Sequence, residues 1–186
     1  MATVTTRTTW LRTDNAAATR VIEISFGTNL PALAATGRHV DVRTPLGAVR
    51  RVSAAAVVVH PPGAPALPRT GRSLVRTARS FTGLPYLWAG VSGVGVDCSG
   101  LVWLDYRAHG IVLPRDSAPQ AMHGTPVRFR ALRQGDLLFY ASSGMVHHVT
   151  MYAGRNRMVQ APHTGGVVET VPVTRFGYAG ARRYLR

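Results

Sequence analysis

The chain has 186 residues, 46% of them hydrophobic, and carries a formal net charge of +14 built from arginine alone, with no lysine. That apolar content can bury one ordinary core or two small ones, and the longest apolar runs, such as "AAAVVV" at 54–59, are far too short for a membrane-spanning helix. A single cysteine, Cys98, excludes an internal disulfide and a cysteine-based metal site.

The charge favours anionic partners, wall polymers among them. The arginines are scattered, however, and pair only at Arg50-Arg51 and Arg182-Arg183, with no basic helix or aromatic-basic pattern, so no nucleic-acid partner is expected. The first twenty-five residues lack a basic stretch followed by an apolar one, so no secretory leader is legible there. Oligomeric state is not legible at all.

Residues 1–60 read as six short strands: "TVTTRTTWLR", "TRVIEISF", "NLPALAAT", "RHVDVRT", "AVRRVSA" and "AAVVVH", separated by turn signals such as Thr13-Asp14-Asn15 and Pro45-Leu46-Gly47. Strands this short and this often broken predict a small barrel or sandwich. The proline-rich stretch at 61–70 predicts an extended, semi-stiff linker. Residues 71–186 form the second unit. Leu74, Val75, Ala78 and Phe81 recur at helical spacing ahead of Gly83; a loop, "LPYLWAGVSGVGV", follows. A second helix runs from about Cys98 to Ala108, with Asp97 placed to cap it and Gly110 closing it. "LPRDSAPQ" reads as a turn, and strands follow at "DLLFYAS", "HHVTMYAG", "RMVQAP", "GVVETVPV" and "AGARRYLR". Helices first and antiparallel strands afterwards predict an α+β unit, with helices packed on one face of a sheet.

A thiol in the first turn of a helix feels the partial positive charge of unpaired N–H groups, which lowers its pKa, and the thiolate is the attacking species. Cys98 sits at such a position. A nucleophile also needs a base within hydrogen-bond reach and a third group to orient that base. In "HHVTMYAGRNRMVQAPH", a turn at 154–157 leaves His147 and His148 on one strand and Gln160 and His163 on or beyond its partner. His148 and Gln160 are equidistant from Gly154, so a hairpin folded there brings them side by side. Strand side chains alternate, so His147 and His148 are alternatives for facing the cysteine.

Five blocks occur in order: "GLPYLWAGVSGVGVDCSGLV", "LPRDSAPQ", "LRQGDLLFY", "HHVTMYAGRNRMVQAP" and "GARRY". Together they resemble the NlpC-type bacterial cell-wall cysteine endopeptidases, over roughly residues 70–186. The resemblance implies a papain-like α+β fold and hydrolysis of peptidoglycan stem peptides at the amide between γ-D-glutamyl and a diamino acid. A related subgroup instead recycles free L-Ala-γ-D-Glu peptides by gripping their amino end, and a non-catalytic module held to anionic wall polymers by its arginines is the competing expectation. The family's Asp-Cys-Ser motif falls on Asp97, Cys98 and Ser99, making Cys98 the nucleophile. Its base, followed by Val and three residues later by Tyr, falls on His148, and its third polar residue, directly before Ala-Pro, falls on Gln160, where the family often has His. His163 is the alternative third member. Tyr86 matches the Tyr of the family's Pro-Tyr-x-Trp motif and implies a hydroxyl donor to the oxyanion beside the Cys98 N–H, while Ala89 replaces a usual Gly. Trp88, Arg115 and Asp116 are further candidates for the substrate pocket. No metal or organic cofactor is implied. The pattern "TTWLRT" with "FGTNLPALAATGRHVDVRT" resembles bacterial SH3-like barrels attached to such enzymes, which bind or position substrate. There, Phe26 offers no hydroxyl for the contacts that recycling enzymes make. An extracellular or envelope location is implied by the resemblance; a cytoplasmic one is the alternative.

Overall fold

The computed structural model describes residues 1–185; Arg186, the last residue of the final expected strand, lies outside them. Eight strands fill the first sixty positions: β1 (Ala2–Val4), β2 (Thr8–Arg12), β3 (Arg20–Ser25), β4 (Asn29–Leu30), β5 (Ala32–Ala35), β6 (His39–Arg43), β7 (Val49–Ser53) and β8 (Val57–Val59). They are shorter than the six stretches expected because two of those stretches break. Residues 5–7 separate β1 from β2, and Pro31 separates β4 from β5. The ring expected of a barrel does not close by strand pairing. A three-stranded sheet, β4-β1-β8, and a five-stranded one, β3-β2-β7-β6-β5, remain distinct. Proline lacks the N–H that a continuous ladder requires, so at Pro31 the chain leaves one sheet and enters the other. Ala2, Leu11, Leu30, Val40, Val42 and Val52 make the small core between them.

The proline-rich stretch contains no helix or strand, but it is not a free tether. The Leu67 N–H donates to the Ala108 carbonyl at 3.0 Å, and the Arg69 guanidinium donates to the carbonyls of His109 and Gly110.

The second half begins with α1 (Gly71–Ser80), capped by Thr70, whose hydroxyl accepts from the Ser73 N–H. A small hairpin, β9 (Val91–Ser92) with β10 (Gly95–Val96), leads into α2 (Cys98–Ala108). The "LPRDSAPQ" stretch is not only a turn: Ser117–Met122 forms a short helix, α3. Pro119 falls within its first turn, where a missing N–H costs nothing. The buried Gln120 amide ties α3 inward by donating to the Pro114 carbonyl at 2.8 Å. The remaining strands are β11 (Thr125–Pro126), β12 (Leu137–Ser142), β13 (Met145–Gly154), β14 (Arg157–Gln160), β15 (Glu169–Pro172) and β16 (Tyr178–Arg183). They form one antiparallel sheet in the order β11-β16-β12-β13-β14-β15. All three helices contact β13, so the fold is α+β as expected. Leu74, Phe81, Leu101, Val102, Tyr106, Phe139, Val149 and Met151 are buried in the core between these layers.

The two halves pack against each other. Phe26, from the first, is buried in the core of the second, edge-on to Phe81 at 5.1 Å. Arg7 donates to the carbonyls of Ser80 and Thr82, and the Ser25 hydroxyl accepts from the Gly93 N–H at 2.5 Å in the β9–β10 turn. No helix among the described residues is long and apolar enough to cross a membrane.

Candidate active site

Cys98 is the first residue of α2, and Asp97 is its N-cap, accepting from the Gly100 N–H at 2.6 Å. The small residues around this start are needed for space: a Cβ on Gly100 would lie 2.1 Å from the Gly90 carbonyl oxygen. Burial of the first turn keeps Cys98 only 8% exposed. The expectation of a lowered thiol pKa is not met. Burial pushes it up, and the Asp97 carboxylate adds to the rise, against the favourable N–H groups of Val149, Ser99 and Cys98 itself. Water is withdrawn from the sulfur faster than the helix start can replace it.

His148 lies on β13, and desolvation lowers its pKa below the ordinary imidazole value, with His147 and His163 contributing in the same direction. Its Nε2 is 2.9 Å from Oε1 of Gln160, at the end of β14. That bond leaves Nδ1 as the ring nitrogen free to receive a proton. The backbone N–H of Val149, the residue after His148, favours the thiolate of Cys98, so β13 runs close to the start of α2. The Tyr140 ring packs against the imidazole at 5.9 Å between centroids.

Two details of the hairpin differ from expectation. Its tip is Arg155-Asn156, both with positive φ (51° and 54°), rather than Gly154, and the pairs Met151 with Val159 and Tyr152 with Met158 set the register. A two-residue loop of this kind matches the twist of the strands. His148 and Gln160 therefore meet diagonally, still on one face. On the other side, Tyr140 pairs with His148 and Ala141 with Val146, which leaves His147 as the extra residue of a bulge. A bulge suspends strict alternation, so His147 and His148 both line the cavity at Cys98. His163 also lines it, but its Nδ1 contacts the Thr164 carbonyl, and Gln160 rather than His163 partners the imidazole.

Two cavities meet at Cys98, sharing Tyr86, Cys98 and His147. One, of about 720 Å³, is walled by Tyr140, His148, Gln160, His163 and Phe176. The other, of about 740 Å³, holds Trp88, Asp97, Ser99, Arg115 and Asp116. Arg115 pairs with Asp97 through two parallel bonds, 2.6 and 3.0 Å, and donates to the Ser99 hydroxyl at 2.9 Å; Ser99 in turn donates to Asp97. Asp116 is mostly exposed, 4.0 Å from Arg115. Trp88 is 80% exposed on the rim, so it does not pack the loop. Ala89 beside it has φ 60°, a left-handed conformation that explains why glycine suits the position. Burial and the neighbouring Cys98 and Asp97 raise the Tyr86 pKa, which keeps its phenol a hydrogen-bond donor.

Sequence reasoning missed two members of this site. Tyr140 closes the "LRQGDLLFY" block, but no role was assigned to it. Glu169 sits directly opposite Gln160 on β15, and its Oε1 accepts from the Gln160 amide at 2.9 Å. The signal was present: folding "APHTGGVVET" at Thr164-Gly165 pairs position 160 with 169.

The fold and site have known counterparts. Residues 83–181 match the NlpC/P60 family and residues 4–60 the YKFC SH3b2 domain. The gamma-D-glutamyl-L-lysine dipeptidyl-peptidase of Bacillus subtilis is 38% identical over 157 residues, covering 82% of this chain and 51% of that protein. The Bacillus cereus enzyme of the same name is 48% identical over 119 residues, covering 60% of this chain and 36% of that one. The crystal structure of an NlpC/P60 family protein from Bacillus cereus superimposes on the whole chain with a TM-score of 0.93 at 36% identity, the match covering 63% of that structure. The chain thus spans between about a third and two thirds of the length of these relatives. With Cys98, His148 and Gln160 gathered at one cavity and a family match running from Gly83 to Ala181, this chain belongs to the NlpC/P60 family of cysteine peptidases, joined to an N-terminal SH3b domain.

Proposed function

We propose that the protein hydrolyses the amide between γ-D-glutamyl and the diamino acid of peptidoglycan stem peptides. The observation that carries this reading is the Nε2–Gln160 bond, which frees Nδ1 of His148 in the cavity that also holds Cys98 and Tyr86. A raised thiol beside a lowered imidazole makes the resting pair neutral near pH 7, so attack is base-assisted. The sulfur bonds to the γ-glutamyl carbonyl carbon as its proton passes to Nδ1. The oxyanion accepts from the Cys98 N–H and the Tyr86 hydroxyl. His148 then gives the proton to the departing amine, the C–N bond breaks and a thioester remains. Water attacks that thioester, losing its proton to His148, and the acid and thiol are released.

A second reading, release of L-Ala-γ-D-Glu from free stem peptides, is favoured by the names of the two Bacillus relatives. Against it, every side chain around the two cavities comes from residues 86–177. Phe26 lies in the core rather than in the groove. Cleavage of intact wall therefore remains the first reading. Incubation with free stem tripeptide and with purified sacculi, read by mass spectrometry, separates the two. Products from sacculi support wall cleavage; products from the tripeptide alone support recycling; none from either overturns both. The envelope is the location that either wall substrate or the +14 charge suits, the latter through anionic wall polymers.

A further inference from the structure

We propose that Glu169 is a positioning residue: by accepting from the Gln160 amide it fixes which way that amide points, and thereby which nitrogen of His148 carries the proton. The inference rests on the reading of Cys98 and His148 as nucleophile and base.

An amide side chain can present either its oxygen or its NH₂ to a neighbour by turning about its last bond. The two orientations have opposite consequences here. With oxygen toward the imidazole, Nε2 must donate, the ring proton sits on Nε2, and Nδ1 is bare and able to take the thiol proton. With NH₂ toward the imidazole, Nε2 must accept, the proton moves to Nδ1, and the base is blocked. A glutamine alone does not choose between them, unlike the aspartate that performs this task in serine peptidases.

Glu169 makes the choice. A carboxylate has only acceptors, so it demands the NH₂ side of Gln160, and the oxygen is left facing His148. The geometry is complete on both sides, with 2.9 Å from Gln160 Nε2 to Glu169 Oε1 and 2.9 Å from Gln160 Oε1 to His148 Nε2. Gln160 and Glu169 are register partners on adjacent strands, so the backbone ladder holds them level. Turning the amide over would set its oxygen against the carboxylate, two acceptors with no proton between them. The other titratable neighbours of the ring, Tyr140 on β12, His147 on β13 and His163 beyond β14, supply no comparable acceptor to the amide.

The test combines Glu169→Gln, which preserves shape, and Glu169→Ala with two readouts. Long-range ¹H–¹⁵N spectra of the His148 ring, recorded above its titration, should show one tautomer in the parent protein, protonated at Nε2, and a mixture in both variants. With a γ-D-glutamyl stem tripeptide, Glu169→Gln should lower kcat by about 10- to 100-fold with KM nearly constant, the scale of outer-shell orienting partners. In a Gln160→Ala background the same change should cost less than about twofold, because neither residue then acts without the other. A single Nε2-protonated tautomer persisting in Glu169→Gln overturns the proposal, as does an equal loss of kcat with and without Gln160. The spectra need no turnover, so a parent protein that releases products from neither free stem tripeptide nor sacculi defeats the proposed function while the tautomer still decides the role of Glu169. Should Glu169→Ala unfold, Glu169→Gln carries both readouts.

Discussion

His148 and Gln160 meet obliquely across β13 and β14, Nε2 to Oε1 at 2.9 Å, although the register places Gln160 two residues short of the position level with His148. A diagonal pair is within reach only of side chains long enough to span it, and glutamine has one more methylene than asparagine. Gln160→Asn should therefore lose most of what Gln160→Ala loses, roughly 10- to 1,000-fold in kcat/KM, with His148→Ala losing more than either. Steady-state hydrolysis of stem peptide by the three variants checks the order. Near-parent activity in Gln160→Asn would contradict the diagonal geometry.

The electrostatics around Cys98 predict a thiol reactivity that sets in at higher pH than that of a preformed thiolate–imidazolium pair. Burial and Asp97 hold the thiol pKa above its ordinary value, and burial holds His148 below 6.5. Iodoacetamide should then label Cys98 slowly at neutral pH and faster as pH rises past 8, while kcat/KM falls on the acid side only below the ordinary imidazole range. Asp97→Asn, which keeps the capping oxygen, should accelerate labelling at a fixed pH of about 8 by removing a negative neighbour. Arg115→Met should slow it by leaving the carboxylate unpaired. Labelling rates that stay flat from pH 5 to 8 would sink the neutral-pair assignment.

How much of this was legible depended on the range over which each signal acts. Asp97 as a cap, Cys98 at a helix start, and the helix–then–strand order all follow from local chemistry and periodicity. The pKa direction at Cys98 did not, because it is decided by how much water the completed core removes, which no short stretch reports. The bulge at His147 was hidden for a similar reason: it is a mismatch between β12 and β13, visible only when the two are paired. Pro31 was in plain view, yet its effect, passing one extended stretch between two sheets, needed both sheets to be known. Glu169 was reachable by the hairpin arithmetic already applied to His148 and Gln160, and was missed because the family motif ends at Ala161-Pro162.

A buried carboxylate away from the site predicts a stability change with pH. Asp105 is fully buried on α2, and desolvation raises its pKa from 3.8 to about 7 despite His109 at 3.1 Å. The folded chain thus holds this proton more tightly than the unfolded chain. The stability the protonated form contributes is complete below pH 4 and is lost as pH rises through about 7. Asp105→Asn, which cannot ionise, should flatten that loss. Urea denaturation at pH 5 and pH 8 measures it: the parent-minus-variant difference in stability should be larger at pH 5 than at pH 8. A difference unchanged between the two pH values removes the assignment.

The approach of the two halves gives the last prediction. Gly93, in the β9–β10 turn, lies so close to the first half that a Cβ there would stand 1.7 Å from the Arg7 carbonyl oxygen. Backbone cannot yield as a side-chain tip can, so Gly93→Ala must push the hairpin away from β2 and break the Gly93–Ser25 bond. The hairpin ends at Val96, which bridges to Tyr86 and immediately precedes Asp97 and Cys98. Displacement is thereby passed to the groove. Gly93→Ala should destabilise the chain by roughly 1–3 kcal/mol, the usual cost of overpacking, and lower kcat/KM. Ser25→Ala removes only the hydrogen bond and should lower melting temperature slightly with kcat/KM nearly intact. Scanning calorimetry and stem-peptide kinetics on the pair distinguish a hairpin held in place by the SH3b half from one that merely touches it: full activity in Gly93→Ala would mean the groove keeps its shape without that contact.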